Sequence, residues 1–180
     1  MRVSVFGSSA PQPGAPAYIE AQKLGSLLGE NGHTVLTGGY IGTMEAVSRG
    51  ANEAGGHVIG VTCTEIERWR PIGANPWVQE EWKRTTLMER LDALIQHCDA
   101  ALALPGGPGT LAEISVLWNR LIINALSPRP LVLIGPGWQQ TLQAFFNGQE
   151  PYVALRDRHL VTFAPDVDQA FAIIQKFKRE

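Results

Sequence analysis

Residues 33–54 read HTVLTGGYIGTMEAVSRGANEA, in which a short apolar run passes through a glycine-rich turn into a helical pattern. The run His33–Thr37 has the length and the β-branched content of a buried strand, and Thr43–Ala54 carries apolar residues at helical spacing. Because strand, glycine turn and helix follow one another directly, this stretch predicts one βα unit of a parallel sheet.

The same alternation continues along the chain in both directions. Further strands are predicted at Arg2–Phe6, His57–Val61, Ala100–Leu104, Leu131–Ile134 and His159–Phe163, and further helices at Ala17–Asn31, Thr86–His97, Thr110–Ala125, Gln139–Asn147 and Asp166–Phe177. Right-handed βαβ crossovers between them place helices on both faces of the sheet. We therefore predict an α/β fold, a three-layer Rossmann-like doubly wound parallel sheet, with residues 1–180 forming a single nucleotide-binding domain.

One segment, Thr62–Lys83, departs from the alternation. It contains three of the five tryptophans, Trp69, Trp77 and Trp82. A connection of this length often overhangs a binding site. The alternative is a packed surface excursion whose tryptophans bury against the core.

The composition has the size and balance of one compact domain. The 180 residues are 44% hydrophobic and 18% charged, and 15 Lys+Arg against 17 Asp+Glu leave a formal net charge of −2. This balance lacks the basic excess that binds a phosphate backbone, so we expect no nucleic-acid partner. The 19 glycines are spread along the chain and predict many tight loops.

Disulfide, metal and membrane chemistry find no supporting pattern. Cys63 and Cys98 cannot build a disulfide framework and lack Cys-x-x-Cys spacing, and the four histidines show no HExxH pattern. The N-terminal apolar stretch is too short for a signal-peptide core, and no run approaches the roughly 18 apolar residues of a membrane span. We expect a cytoplasmic protein without a metal and without a membrane partner.

Small residues follow three of the predicted strands, in Gly7–Ser9, Gly38–Thr43 and Pro105–Thr110. The carboxyl ends of parallel strands form the ligand-binding edge of an α/β sheet, where glycines let backbone N–H groups approach an anion and the next helix adds a favourable partial charge. The candidate phosphate- and nucleotide-binding residues are therefore Gly7, Ser8, Gly38, Gly39, Gly42, Thr43, Gly106, Gly107, Gly109 and Thr110.

These loops differ from the common nucleotide fingerprints. Neither GGYIGT nor GGPGT is followed by the GK[ST] of a P-loop, and neither has GxGxxG spacing, so a small-molecule mononucleotide fits better than a dinucleotide. Ser8 and Ser9 lack the G-x-S-x-G elbow of a serine hydrolase.

Three charged residues near the loops each have two interpretations. Glu113 forms a T-x-x-E capping pattern with Thr110, or else its carboxylate addresses the ribose of a ligand. Glu45 either stabilises the start of its helix through the helix dipole or contacts the ligand. Arg90 lies on the flank of an apolar helix stripe without an acidic neighbour at helical spacing, so it is either solvated or bound to the ligand.

The stretch LPGGPGTLAE, Leu104–Glu113, resembles the PGGxGTxxE signature of the LOG (Lonely Guy) family of cytokinin riboside 5'-monophosphate phosphoribohydrolases. Thr37–Val61 resembles the second glycine loop of the same family and the βα unit that follows it. The resemblance implies a Rossmann-like homodimer that hydrolyses the N-glycosidic bond of a nucleoside 5'-monophosphate without metal or organic cofactor. One predicted helix carries the apolar residues Leu117, Trp118, Leu121 and Ile122. This helix lies either in the core or in that dimer interface.

Catalytic roles for Arg90 and Glu113 are also implied by the resemblance. The Glu113 carboxylate would stabilise oxocarbenium character on the ribose as the base departs. Arg90 would hold the ligand or stabilise developing negative charge, and the two glycine loops would hold the phosphate. Family members usually carry an Arg-Lys pair at this place, and here Leu91 stands where they have the lysine.

Two other functions are associated with similar sequences. GGYIGTMEAVSRGA is close to molybdenum-cofactor carriers, so a non-catalytic nucleotide- or molybdenum-cofactor-binding carrier is the alternative. The label lysine decarboxylase is also common, but pyridoxal phosphate chemistry needs a Schiff-base lysine at the site. No such lysine is expected here, because all four lysines lie outside the glycine loops, at Lys23, Lys83, Lys176 and Lys178.

Overall fold

The computed structural model describes residues 1–177. In chain order the elements are β1 (Arg2–Phe6), α1 (Pro16–Glu30), β2 (Thr34–Thr37), α2 (Thr43–Glu53), β3 (Val58–Cys63), α3 (Thr64–Trp69), β4 (Glu80–Arg84), α4 (Leu87–Gln96), β5 (Ala100–Ala103), α5 (Pro108–Ile122), β6 (Leu131–Ile134), α6 (Pro136–Gly148), α7 (Leu155–Arg158), β7 (Thr162–Ala164) and α8 (Val167–Phe177). A short 3-10 turn, Glu150–Tyr152, lies between α6 and α7.

The strands form one parallel sheet in the order β4-β3-β2-β1-β5-β6-β7. Strand β1 lies at the centre and pairs with β2 on one side and with β5 on the other, so that Val3 is opposite both Val35 and Ala100. The strand order reverses between β1 and β5, which opens a crevice at the carboxyl ends of these two strands. The predicted doubly wound parallel sheet is confirmed.

Helices cover both faces of the sheet and bury two apolar clusters. Side chains alternate along each strand, so Val3 and Val5 of β1 face the cluster that contains α1, α2 and α8, whereas Phe6 faces the cluster that contains α4, α5 and α6. Helix, sheet and helix therefore make the three layers expected from the sequence. None of the helices within residues 1–177 is long and apolar enough to cross a bilayer.

The segment Thr62–Lys83 contains regular structure that the sequence analysis missed. Strand β3 continues to Cys63, helix α3 follows directly, and β4 pairs with β3 as the edge strand of the sheet. The residues of β4 are EEWKR, all of them exposed or half-buried, so no apolar alternation marks this strand. The last strand, predicted at His159–Phe163, begins later, at Thr162, because a turn at residues 159–160 follows α7.

Candidate functional site

A cleft of about 490 Å³ lies at the crevice between the carboxyl ends of β1 and β5. The loop after β1 and the start of α5 form its floor, and α3 and α4 contribute its other wall. Three of the lining residues are charged, namely Arg70, Arg90 and Glu113. The cleft therefore joins the family signature, the arginine of α4 and three residues from the segment that had no predicted structure, Ile66, Trp69 and Arg70.

Helix α5 presents an open N-terminus to this cleft. Its N-cap is Gly107, which makes no side-chain cap, and Pro108 occupies the first turn. The backbone N–H groups of Gly109 and Thr110 have no acceptor within the helix, because the first turn lacks residues four positions earlier. Both residues line the cleft, so the positive end of the helix dipole and two N–H donors are available to an anion.

The T-x-x-E pattern at this helix does not form a capping box. The Thr110 hydroxyl donates instead to the Gly7 carbonyl at 3.0 Å and fastens α5 to the loop after β1. The capping box of this region is on α4, where Thr86 and Glu89 bond to each other's backbone N–H groups. Glu113 is thus free of the capping role that the sequence also permitted.

Glu113 lies at the bottom of the cleft and is 6% exposed. Its Oε1 atom is 3.6 Å from Nη1 of Arg90, the one ion pair of this carboxylate among residues 1–177. Burial raises the pKa of the Glu113 carboxyl to about 7, although the Arg90 guanidinium opposes the shift. A carboxyl with such a pKa changes charge near neutral pH, which is typical of acid–base or electrostatic roles in active sites.

Arg90 is 5% exposed, so the solvated flank position considered from the sequence is wrong. Its Nε donates to the Val61 carbonyl at 2.8 Å and its Nη2 donates to the Gly38 carbonyl at 3.2 Å. The guanidinium also lies over the Tyr40 ring, 5.7 Å from the ring centroid. The ends of β2 and β3 therefore hold Arg90 in a fixed orientation beside Glu113.

Most of the Gly38–Thr43 loop lies beneath this arginine, whereas Tyr40 of the same loop lines the cleft. A Cβ at Gly38 would overlap the Arg90 guanidinium, and Gly42 has a φ of +76° with the Ser8 carbonyl against the position of a Cβ. The Thr43 hydroxyl accepts from the Ser8 N–H at 2.9 Å and donates to the Ser8 carbonyl at 3.1 Å. Buried glycines at this loop allow close packing, and four predicted binding residues do not line the cleft: Gly38, Gly39, Gly42 and Thr43.

Two other candidates are also displaced from the cleft. Glu45 accepts a hydrogen bond from the Tyr18 hydroxyl at 2.9 Å and is not among the lining residues. Gly106 is outside the lining as well, and a Cβ there would overlap the Thr110 side chain. The candidates that the structure brings together are Gly7, Ser8, Arg90, Gly107, Gly109, Thr110 and Glu113.

Sequence reasoning missed Arg70 and Asn75, both in the Thr62–Lys83 segment. The Asn75 amide donates to the carbonyls of Gly39 and Tyr40 at 3.0 Å each, and so ties the segment to the buried glycine loop. Arg70 donates from Nη1 to the Ser9 hydroxyl at 3.3 Å at the mouth of the cleft. The one available signal was the length of the segment, which does overhang the site.

The tryptophans of this segment divide between its two interpretations. Trp69 is 79% exposed and lines the cleft, as expected for an overhanging segment. Trp82 is half-buried and packs against the core, as expected for a packed surface excursion. The overhang is therefore limited to the end of α3.

Among residues 1–177, no lysine lines the cleft. Lys23 pairs with Asp168 and Lys83 pairs with Glu67, both at 2.5 Å, and Lys178 lies outside the described residues. A Schiff base with pyridoxal phosphate therefore finds no lysine among the residues that line the cleft. Within residues 1–177 no group of three or more His, Cys, Asp or Glu side chains is arranged to hold a metal ion.

Comparison with known proteins gives the family. The model of the family described as "Possible lysine decarboxylase" matches residues 44–174. A probable cytokinin riboside 5'-monophosphate phosphoribohydrolase of Oryza sativa subsp. japonica is 31% identical over 98% of this chain and 72% of its own length. The chain therefore belongs to the LOG family. A cytokinin riboside 5'-monophosphate phosphoribohydrolase of Arabidopsis thaliana, also 31% identical, matches over 93% of this chain and 79% of its own length.

Solved structures share the fold of this family member. The molybdenum cofactor carrier protein of Chlamydomonas reinhardtii superposes with a TM-score of 0.75 at 23% identity, covering 99% of this chain and 98% of the carrier. The molybdenum cofactor binding protein of Rippkaea orientalis gives a TM-score of 0.76 at 22% identity, covering 98% of this chain and 96% of that protein. At these identities the likeness concerns the fold alone, and function depends on the site.

Proposed function

We propose that this LOG-family chain is a nucleoside 5'-monophosphate phosphoribohydrolase that releases a free base and ribose 5-phosphate. The observation that carries the proposal is the pair of Arg90 and Glu113, buried side by side at the bottom of a cleft that also contains an open helix N-terminus. The family relatives named as phosphoribohydrolases support the same reaction class. AMP-like and cytokinin-type nucleotides are the proposed substrates.

The proposed nucleotide lies along the first turn of α5. Its phosphate binds the free N–H groups of Gly109 and Thr110 at the positive end of the helix. Glu113 is one turn further on, a rise of about 6 Å along the helix axis, so a ribose anchored at its phosphate has its anomeric carbon near the carboxylate. The base then faces the apolar side chains of the opposite wall, which are Met44, Ile66, Leu87 and Leu91.

The bond that breaks joins the anomeric carbon to the base nitrogen. Positive charge develops on the ribose as the base leaves with the bonding electrons, and ionised Glu113 stabilises that charge. A water oxygen then bonds to the anomeric carbon, and the proton that it loses balances the one that the departing base takes up. Arg90 favours the ionised form of Glu113 and fixes its position, since two strand-end carbonyls hold its guanidinium.

A nucleotide-hydrolysis assay tests this function. Wild-type protein is incubated with AMP and with isopentenyl-AMP, and free base is measured by chromatography. We expect Glu113→Gln to lower the rate at least about 100-fold while AMP still binds, because the carboxylate acts in the transition state. The wild-type rate should fall as pH drops below about 7, where Glu113 becomes protonated.

Glu20→Gln is the matched control, since Glu20 is an exposed carboxylate on α1 outside the cleft. Its rate should equal that of the wild type. Wild-type protein that binds AMP and releases no base would contradict the proposed reaction. Equal rates for wild type and Glu113→Gln would contradict the assigned role of the carboxylate.

A carrier function is the second candidate, because the sequence GGYIGTMEAVSRGA, residues 38–51, resembles that of molybdenum-cofactor carriers. A carrier requires the cleft to bind a pterin without cleaving it. Fluorescence of the purified protein, before and after denaturation, detects a bound pterin. A protein that hydrolyses AMP and retains no pterin excludes the carrier function.

The homodimer implied by the family resemblance stays a prediction. Three residues considered for its interface, Leu117, Trp118 and Leu121, are buried core residues of α5. Ile122 packs against the same core and is half-buried. Light scattering at several protein concentrations measures the stoichiometry.

A further inference from the structure

The two arginines of the cleft differ in how far neighbouring groups compensate their charges. Arg90 bonds to two backbone carbonyls and lies 3.6 Å from the Glu113 carboxylate. Arg70 forms no ion pair with a carboxylate within the part of the chain that the structure describes, and its side-chain partner is the neutral Ser9 hydroxyl. Its Nε atom is buried and has no hydrogen-bond partner.

The position of this guanidinium is also fixed by its neighbours. The Cζ atom of Arg70 lies 5.6 Å from the centroid of the Trp69 ring, within cation–π distance. Ser9, its hydrogen-bond partner, belongs to the loop after β1 that Thr110 joins to α5. Arg70 is therefore held at the mouth of the cleft, on the loop that adjoins the open N-terminus of α5.

A phosphate monoester at the N-terminus of α5 needs a cation beside it to balance its charge. Such a group carries about −1.5 to −2 charges at neutral pH. The N-terminus of α5 supplies roughly +0.5 of an elementary charge, and Arg90 is compensated by Glu113 when that carboxylate is ionised. About one negative charge remains, which a single unpaired guanidinium balances.

We propose that Arg70 binds the 5'-phosphate of the nucleotide together with the N-terminus of α5, and so selects 5'-monophosphates over nucleosides. The assignment rests on the proposed function for the identity of the ligand. A guanidinium offers two parallel N–H donors to two phosphate oxygens, a geometry that a lysine ammonium does not reproduce. Arg70 is thus a specificity-determining residue, separate from the pair that acts on the glycosidic bond.

Ribose 5-phosphate is the best probe, because it is a product of the proposed reaction and is not consumed. Its dissociation constant is measured by titration calorimetry for wild type, Arg70→Gln and Arg70→Lys. We expect about 10- to 100-fold weaker binding for Arg70→Gln, the usual effect of losing a charge-assisted hydrogen bond, and an intermediate value for Arg70→Lys. The wild-type constant should also rise more steeply with salt than that of Arg70→Gln.

Arg68→Gln is the matched control, since Arg68 is an exposed arginine of α3, the helix that ends just before Arg70, and it lies outside the cleft. It should bind ribose 5-phosphate within twofold of the wild type, and thermal unfolding of each variant reports on the fold. With AMP as substrate, Arg70→Gln should raise KM in the same proportion and change kcat little, whereas adenosine should bind wild type and variant equally.

Binding of ribose 5-phosphate by Arg70→Gln within twofold of the wild type would overturn the assignment, and so would wild-type protein that fails to bind this probe. Failure of the proposed function has a different signature. In that case AMP and ribose 5-phosphate bind in an Arg70-dependent way, and no base is released. The binding contrast and the release of base therefore test the two proposals separately.

Discussion

The loops after β2 and β5 have nearly the same sequence pattern and opposite surroundings. In the first, GGYIGT, the glycines are buried against Arg90 and Ser8. In the second, GGPGT, Gly107 and Gly109 are exposed and have open space at the Cβ position. Glycine thus serves close packing beneath the cleft in one loop and leaves open space around the backbone in the other.

The same sequence pattern therefore occurs once in a buried scaffold and once at an open helix N-terminus. The first loop holds Arg90 through the Gly38 carbonyl, and it holds the turn after β1 through the Thr43 hydroxyl. The second loop leaves backbone donors free at a helix N-terminus. Substitutions in the first loop should therefore affect stability, and those in the second should affect ligand binding.

The largest contrast is expected between Gly42→Ala and Gly109→Ala. A Cβ at Gly42 would overlap the Ser8 backbone at a φ of +76°, so we expect a loss of about 4 kcal/mol or more in the free energy of unfolding. Gly109 is helical with nothing within 4 Å of a Cβ, so alanine there should stabilise by about 0.5–1 kcal/mol. Urea unfolding of both variants measures the difference, and equal destabilisation would remove the distinction between the loops.

A smaller effect is expected for Glu113, which lies in the cleft. A charged carboxylate in this buried position lowers the free energy of unfolding. Its folded pKa of about 7 is above its ordinary value of 4.5, so the folded state favours the protonated form, and wild-type stability falls as pH rises from 4.5 through 7. Glu113→Gln removes this loss. The variant should gain on the wild type with rising pH, by up to about 3 kcal/mol at pH 8.

Urea unfolding of both proteins at pH 5 and pH 8 measures that gain, with Glu20→Gln as a control for the change of charge. A difference between Glu113→Gln and wild type that is the same at both pH values would show that burial does not perturb this carboxyl. A larger difference at pH 5 would reverse the assigned direction of its pKa shift.

The smallest contrast concerns the threonine that ends each loop. Thr43 makes two hydrogen bonds to the Ser8 backbone through its hydroxyl, whereas Thr110 makes one, to the Gly7 carbonyl. Thr43→Val should therefore cost about 2 kcal/mol and Thr110→Val about 1 kcal/mol of unfolding free energy. The order of the two values in chemical unfolding is the decisive result, and a reversed order would place the stronger fastening at α5.

The sheet was largely predictable because its central strands are continuous apolar runs. The predicted bounds of β1 and β6, Arg2–Phe6 and Leu131–Ile134, equal those observed. The edge strand β4 escaped prediction because EEWKR packs no continuous apolar face against the core. A local pattern of apolar residues therefore indicates a strand only where the strand is buried.

The sequence indicated part of the cleft lining, including Arg90 and Glu113, but not the contacts of these residues. The acceptors of Arg90 are carbonyls 29 and 52 positions earlier in the sequence, so no neighbour within its own helix revealed its orientation. Whether Glu113 capped its helix depended on a hydroxyl bond from Thr110 to a carbonyl 103 positions away. Arg70 gave no pattern at all, because its position at the cleft follows from the path of the whole overhanging segment.

Because β1 pairs with β5, the cleft cannot form until a late stage in the synthesis of the chain. Val3 is opposite Ala100, so the first strand leaves the ribosome long before its second partner is made. Strands β1, β2 and β3 can associate early, but the floor of the cleft requires the start of α5 at Pro108. A nascent chain therefore has half a sheet with one unpaired central edge, and gains its binding site only in the second half of synthesis.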